Sequence, residues 1–577
     1  MSAEKETVPA YSPSETGETG TTSPPSRGFF QDIIDGFKPH PVHVARKRAA
    51  AADAGRFDVE QAALNVAESP LSRKLKGRHL QMIAIGGSIG TGLFVGSGSA
   101  LSTGGPASLL IAFLLIGAML FCVVHALGEM AVLFPVAGSF AAYSTRFLDP
   151  AWGFAMGWNY AMQWLIVLPL EIVAATITIE YWDSPVNKAV WVTLFWLLIV
   201  AINLFGVKGY GEAEFVFSLI KILAVIGFII LGIIINCGGV PDRGYIGGAY
   251  WTDPGAFNHG FKGLCSVFVT AAFAFAGTEL VGLAAAETAN PRKSLPTAVK
   301  QVFWRITLFY IVSLTLIGLL VKYTDERLLS GSSGADAKAS PFVIAINDAG
   351  IKVLPSIMNV VIMIAVLSVG NSSVYGSSRT LAALAEQGQA PRIFAFIDRH
   401  GRPMVGIGLS AVLGLLSYLA ASDKQGEAFT WMLAISGLSS IFTWGSICLA
   451  HIRFRHGWKK QGHTLSELAY ISQPGYIGSW LGFILNCLVL VAQFWVAVWP
   501  IGKQPSARGF FSVYLAVPIV LSFYISYKLY FKTPFVRSMD MDLVTGRREL
   551  DLERILADER AERASWPAWK RYYKLFC

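Results

Sequence analysis

Apolar runs of 18 or more residues recur along most of the chain, each long enough to cross a hydrocarbon core about 30 Å thick as a helix. Short polar or charged stretches separate them. The pattern predicts twelve membrane helices, starting near residues 79, 107, 153, 189, 213, 262, 298, 353, 404, 428, 477 and 511. They fill residues 73–531, and the fold class is an all-α integral membrane protein. Residues 1–72 are polar and poor in aromatics, which reads as a disordered cytoplasmic tail. Residues 532–577 form a charged second tail ending in an amphipathic aromatic stretch, Trp566 to Cys577.

Two of the apolar segments are interrupted. The first helix contains Ile85-Gly-Gly-Ser-Ile-Gly-Thr-Gly-Leu93, and the sixth contains Phe273-Ala-Phe-Ala-Gly-Thr-Glu-Leu-Val-Gly282. Each opens a set of five helices, about residues 79–236 and 262–452, with helices eleven and twelve (about 477–531) left over. Broken helices in corresponding positions are the mark of an inverted repeat with a site near the midplane. Five is odd, so the second set starts on the opposite side and the two broken helices run antiparallel.

Unwound backbone in lipid must line a cavity or meet a ligand, because its freed polar groups need partners. The half-helix after the first break begins near Leu93 and turns free N–H groups and the positive end of its dipole to the gap, which suits a carboxylate. The half-helix before the second break ends near Phe273 to Phe275 and offers carbonyls and a negative dipole end, which suits an ammonium. Together they fit an α-amino acid zwitterion. Close helix packing through small residues is the competing explanation for one glycine-rich stretch, and two stretches in corresponding positions weigh against it. The glycines do not form a nucleotide loop, since the G-K-[ST] ending is missing, and no H-E-x-x-H, G-x-S-x-G or paired metal-ligand spacing appears. The sequence therefore predicts no enzyme, no metal site and no cofactor.

Composition agrees with this: of 577 residues, 53% are hydrophobic and 15% charged, where a soluble chain averages about 25% charged. The net charge of +9 could suggest a nucleic-acid partner, but Lys and Arg lie in small groups beside apolar runs. They mark cytoplasmic loops instead: Arg292, Lys293, Lys300 and Arg305; Arg379, Arg392, Arg399 and Arg402; Arg453, Arg455, Lys459 and Lys460. Alternate loops are poorer, so both tails are expected in the cytoplasm. With no early apolar stretch, no cleavable signal peptide is expected. The six cysteines show no C-x-x-C pairing and read as small core residues.

Ionisable residues inside membrane segments are few, and each is a functional hypothesis because it is costly there. Glu279 follows the second break and should begin the inner half-helix. Lys221, in Ser218-Leu-Ile-Lys-Ile-Leu223, is either a proton carrier or half of a structural ion pair with a glutamate. Glu171 could face the substrate, relay a proton or pack as a hydrogen-bonding group. Glu180, beside Tyr181 and Trp182, reads as interfacial, and His125 as a packed histidine. The sequon at Asn371 falls inside the eighth helix, out of reach of glycosylation.

At these residues the chain resembles a known family. Phe275-Ala-Gly-Thr-Glu-Leu-Val-Gly282 followed by Glu287-Thr-Ala-Asn-Pro-Arg-Lys293 is similar to the signature of the fungal amino acid permeases, the yeast amino acid transporter family within the amino acid-polyamine-organocation superfamily. Gly90-Thr-Gly-Leu-Phe-Val-Gly-Ser-Gly98, Ser340-Pro-Phe-Val343, Val366-Leu-Ser-Val-Gly-Asn371, Ser436-Gly-Leu-Ser-Ser440 and Thr545-Gly-Arg-Arg-Glu549 match as well, over about residue 70 to the end. General amino acid permeases are the most similar group. The resemblance implies proton-driven uptake of L-amino acids across the plasma membrane by a twelve-helix, 5+5 inverted-repeat fold of the kind first seen in a bacterial leucine transporter. It implies that Ser88, Ile89, Thr91 and Gly92 contact the substrate carboxylate, and Phe273, Ala274 and Thr278 the amino group, with Phe275 at the gate and Glu279 essential, in substrate binding and, with Lys221 and Glu171, in proton coupling. Lys221 is similar to a lysine that stands in place of a sodium ion in a proton-coupled bacterial relative, so the proton is the implied coupling ion. Lys5, Lys38 and Lys47 are candidate ubiquitin acceptors for a ubiquitin ligase and trafficking machinery. Leu575-Phe-Cys577 departs from the family's usual Phe-Trp-Cys ending. Narrower permeases, for basic amino acids or proline, and non-transporting sensors share the fold; the sensors have longer N-terminal extensions than the roughly 75 residues here.

Overall fold

The structure, a computed structural model, describes residues 37–40, 58–87, 89–240, 243–330, 340–422, 425–547, 565–567 and 569–570. Every regular element among them is helical. Among the described residues nine helices are long and apolar enough to cross a membrane, ten if the bent pair Ala507–Tyr514 and Ala516–Phe531 counts as one span. A further apolar helix, Lys188–Leu204, is 17 residues long.

The span Gly92–Leu133 has 42 residues, about 63 Å of helix at 1.5 Å per residue and roughly twice the hydrocarbon thickness. It is two limbs. The chain turns at Gly105, whose φ of 79° and ψ of 171° are outside the helical range, just before Pro106. A Cβ on Gly105 would stand 2.8 Å from the Asn258 amide nitrogen, and the turn is fixed by Asn258 N donating to Gly104 O and Ala107 N to Ala256 O, both at 2.9 Å.

The helix Gly206–Asn236 shows how membrane surroundings invert the usual pattern. Its buried stripe, Tyr210, Glu214, Ser218, Lys221 and Val225, recurs every three to four residues and carries its polar groups inward. Its exposed face is Val216, Leu219, Leu223, Ile226 and Ile230, apolar toward lipid. Helix Leu354–Glu386 packs along Pro150–Ile179, and the half-helix Gly77–Gly86 packs between Gly206–Asn236 and Pro291–Trp304.

One end of the bundle is strapped by both tails. Helix Val59–Ala67 lies within the segment read as a disordered tail; it forms because Asp58 caps it, accepting from Glu60 N and Gln61 N, and because Ala62, Ala63 and Val66 are buried. Its burial was invisible to composition. Downstream, Leu75 N donates to Glu287 O at 3.0 Å and Ala289 N to Leu75 O at 3.1 Å. From the other tail, Val536 N donates to Leu148 O, and Arg146 of helix Ser139–Phe147 pairs with Asp542 at 2.9 Å. The amphipathic stretch from Trp566 lies largely outside the described residues.

Two cations assigned to loops are corrected. Arg305 is fully buried, held by the Ala84 carbonyl at 2.8 Å. Arg379 is buried too, paired with Glu287 at 3.3 Å and lying 4.4 Å over the Tyr375 ring. Sequence neighbours in a basic cluster do not share an environment when the helix rotates one of them inward. Glu180 sits at a helix end and pairs with Lys188 at 2.6 Å.

Candidate functional site

The first interruption runs from Gly87 to Thr91, between Gly77–Gly86 and the wide helical turn Gly92–Gly96. The second runs from Ala276 to Glu279, between Gly260–Phe275 and Leu280–Ala284, and turns on Gly277 at φ 96°. Glu279, expected to begin the inner half-helix, is the residue that caps it, the last of the break before Leu280. The two interruptions touch. A Cβ on Gly92 would lie 2.3 Å from the Ala274 Cα, so only glycine lets the positive end of one half-helix approach the carbonyl end of the other this closely.

Ile89, Thr91, Gly92, Phe273, Ala274, Phe275, Thr278 and Glu279 are all buried around this contact. Ser88 lies outside the described residues. Thr91 donates its hydroxyl to the Glu171 carboxylate. The Thr278 hydroxyl donates to Phe275 O at 2.7 Å, and the Ala274 carbonyl accepts from the Tyr310 hydroxyl at 2.7 Å. The Phe275 ring packs on Tyr310, with centroids 4.1 Å apart, and on Phe113 at 5.8 Å.

Glu279 is held by neutral donors: Tyr160 OH and Trp444 Nε1, each at 3.1 Å, and Gly277 N at 3.2 Å to both oxygens. Tyr160 and Glu171 are eleven residues apart on the helix Pro150–Ile179, close to three whole turns, so both face the same way and stand about 16 Å apart along its axis. One helix thus supplies Tyr160 to the second break and Glu171 to the first.

Lys221 belongs to a fully buried network. Its Nζ lies 3.4 Å from Glu214 Oε1 and 2.9 Å from Ser368 Oγ. Ser368 also donates to Glu214 at 2.7 Å, and Ser218 joins Glu214 Oε1 at 3.2 Å and the Met82 carbonyl of the first half-helix at 3.2 Å. Glu171 is within electrostatic reach of Lys221. Gly370 of Leu354–Glu386 faces the Glu171 Cβ at ordinary contact distance, 3.5 Å from where its own side chain would begin.

The sequence reading missed Glu214, Tyr160, Trp444, Ser368, Arg305 and Tyr310. Glu214 was findable, since it precedes Lys221 by seven residues, two turns along the same helix face. Among the tail lysines, Lys38 is exposed and its carbonyl accepts from Arg399 N at 3.0 Å; Lys5 and Lys47 lie outside the described residues. Among the described residues no group of three His, Cys, Asp or Glu could hold a metal ion. His125 packs on Phe121 and bonds Tyr470 at 2.6 Å.

Residues 79–538 match the amino acid permease family. The chain is 62% identical over 561 residues to the general amino-acid permease GAP2 of Candida albicans, covering 96% of this chain and 94% of that one. It is 55% identical over 571 residues to the general amino-acid permease GAP1 of Saccharomyces cerevisiae, covering 97% and 93%. The crystal structure of a manganese transporter of Eremococcus coleocola aligns with a TM-score of 0.50, over 83% of this chain and 96% of that one, at 11% identity. That likeness speaks of fold alone. The sequence matches run through both interruptions and almost the whole chain, and the chain belongs to the amino acid permease family.

Proposed function

We propose that this multi-pass membrane protein imports L-amino acids of many kinds across the plasma membrane, coupled to protons, by alternating access around the two breaks. The carrying observation is the Gly92–Ala274 contact. It sets an N–H-rich helix start beside a carbonyl-terminated helix end, a pair of opposite dipole ends matched to the carboxylate and ammonium of a zwitterion. The near-full-length likeness to general amino-acid permeases supports a broad range of side chains. Counting the two limbs of Gly92–Leu133, the shorter Lys188–Leu204 and the bent final pair supports twelve crossings in a 5+5 inverted repeat, with both tails in the cytoplasm.

Lys221 is the proton carrier in this reading, with Glu171 linking it to Thr91 in the first break, while Glu279 holds the second break in shape. A membrane potential contributes about 2.3 kcal/mol per charge per 100 mV, so one proton carried with a zwitterion can concentrate it about fifty-fold. The test is uptake of a radiolabelled amino acid competed by all twenty, with and without a protonophore. Broad competition abolished by the protonophore is expected. Competition restricted to basic amino acids or proline would replace the broad range with a narrow one, and binding without uptake would make the protein a sensor.

A further inference from the structure

We propose that Arg305 and Tyr310 form a clamp that holds one carbonyl in the last turn of each half-helix, Ala84 in the first and Ala274 in the second, and so sets the spacing of the zwitterion site. In an unbroken helix the carbonyl of residue 274 would bond the amide of residue 278, which here donates to Phe275 O at 3.4 Å. The Ala84 carbonyl accepts from Arg305 Nη1 at 2.8 Å, and the Ala274 carbonyl accepts from the Tyr310 hydroxyl at 2.7 Å. Arg305 Nη2 lies 3.4 Å from the same Tyr310 oxygen, with its guanidinium carbon 5.7 Å from the ring centroid. A single unit on the seventh predicted helix therefore joins the ends of both half-helices.

The electrostatics suit this role. A buried guanidinium needs compensating negative charge. Each helix C-terminus presents about half a negative charge, so two of them match one guanidinium without a carboxylate bonded to it. Arg305 sits on the first residue of the wide turn Arg305–Val312, a helix widening of the kind found at functional sites, which brings Arg305 and Tyr310 onto one side. The Tyr310 ring joins a three-ring cluster with Phe275, the last residue of the second half-helix, at 4.1 Å, and Phe113 at 6.1 Å. Glu279 and Lys221 both lie within electrostatic reach of the guanidinium. Arg305 and Tyr310 are thus positioning residues: they touch no substrate but fix the backbone that does. A consequence is that the Ala274 carbonyl is already engaged.

The clamp rests on the zwitterion reading of the breaks, and the experiment separates the two. Uptake of a labelled amino acid is measured for wild type, R305K, R305Q, Y310F and the double variant R305Q/Y310F, with KM and maximal rate normalised to transporter at the cell surface. KM is expected to rise about tenfold in R305Q, the scale of one charge-assisted hydrogen bond, about threefold in Y310F, and to an intermediate level in R305K. The double variant should be no worse than R305Q, since both groups act as one unit. Wild-type KM in R305Q, or in Y310F, overturns the clamp; should R305Q fail to reach the surface, Y310F, which lacks only an oxygen, decides alone. Competition of wild-type uptake by N-acetylated and methyl-esterified forms of the same amino acid reports on the zwitterion reading separately. If these compete as well as the free amino acid, that reading falls whatever the variants do.

Discussion

The two interruptions occupy corresponding places in the chain, yet they face different chemistry. The first break looks onto a charged network: Thr91 on Glu171, then Lys221 paired with Glu214 and bridged by Ser368. The second break looks onto a single carboxylate, Glu279, held by a phenol, an indole and a backbone amide. In the low-dielectric interior an ion pair and a carboxylate among neutral donors respond differently to loss of one member. On the proposed function, the asymmetry would divide the labour: energy coupling on the first side, shape and affinity on the second. Helix Pro150–Ile179 serves both, through Glu171 and Tyr160.

The sharpest way to break this comparison is Lys221→Met. It strands Glu214, and removing one partner of a buried pair costs about 3 to 5 kcal/mol. Protein that reaches the membrane should still exchange labelled for unlabelled amino acid but fail to accumulate it against a gradient. Glu279→Gln should do the reverse. Gln cannot accept from both Tyr160 and Trp444 as the carboxylate does, and loss of a charge-assisted bond of about 1.5 to 3 kcal/mol predicts a rise in KM of one to two decades, with proton dependence kept. If both variants lose the same property, the division of labour is wrong. Thr91→Val removes a single hydroxyl from Glu171; the cost is about 1 kcal/mol, a several-fold loss of uptake rate at low substrate, read by initial-rate measurements.

The smallest effect belongs outside both breaks, at the C-terminal strap. Burial would push the Asp542 carboxyl up, but Arg146 and the amides of Thr545 and Val544 outweigh it and hold the group below the usual aspartate value. A depressed folded value means the strap's contribution is complete above the unfolded value of about 3.9 and is lost only as pH falls through the lower, folded one. No change in the strap is therefore expected between pH 5 and 8. Asp542→Asn should raise protease sensitivity of the tail modestly, by less than about 1 kcal/mol of opening free energy, and leave KM unchanged. A shift in KM would mean that the strap reaches the site.

Both breaks, their order and the Glu279 position were legible in the sequence, because Gly-rich and polar stretches stand out against apolar helix. The partners were not. Glu214 lies two turns from Lys221, beyond a search of one turn, and Ser368 comes from a helix that only the fold brings near. Arg305 looked like one more cation of a basic loop, and nothing local distinguishes it: buried, it bonds a carbonyl 221 residues earlier. Val59–Ala67 was read as tail because its burial comes from the bundle end it leans on, through contacts such as Asn65 to the Glu386 carbonyl.

The central claim is that proton movement through the Lys221 network drives amino acid accumulation at the two breaks. Purified wild type and Lys221→Met in proteoliposomes, given an inward proton gradient and a labelled amino acid, test it most directly. Wild type should accumulate the label above the outside concentration, take up protons with it and stop when the gradient is collapsed, while the variant exchanges label without accumulating it. Equal accumulation by the variant, or accumulation by wild type with no proton gradient, would contradict it.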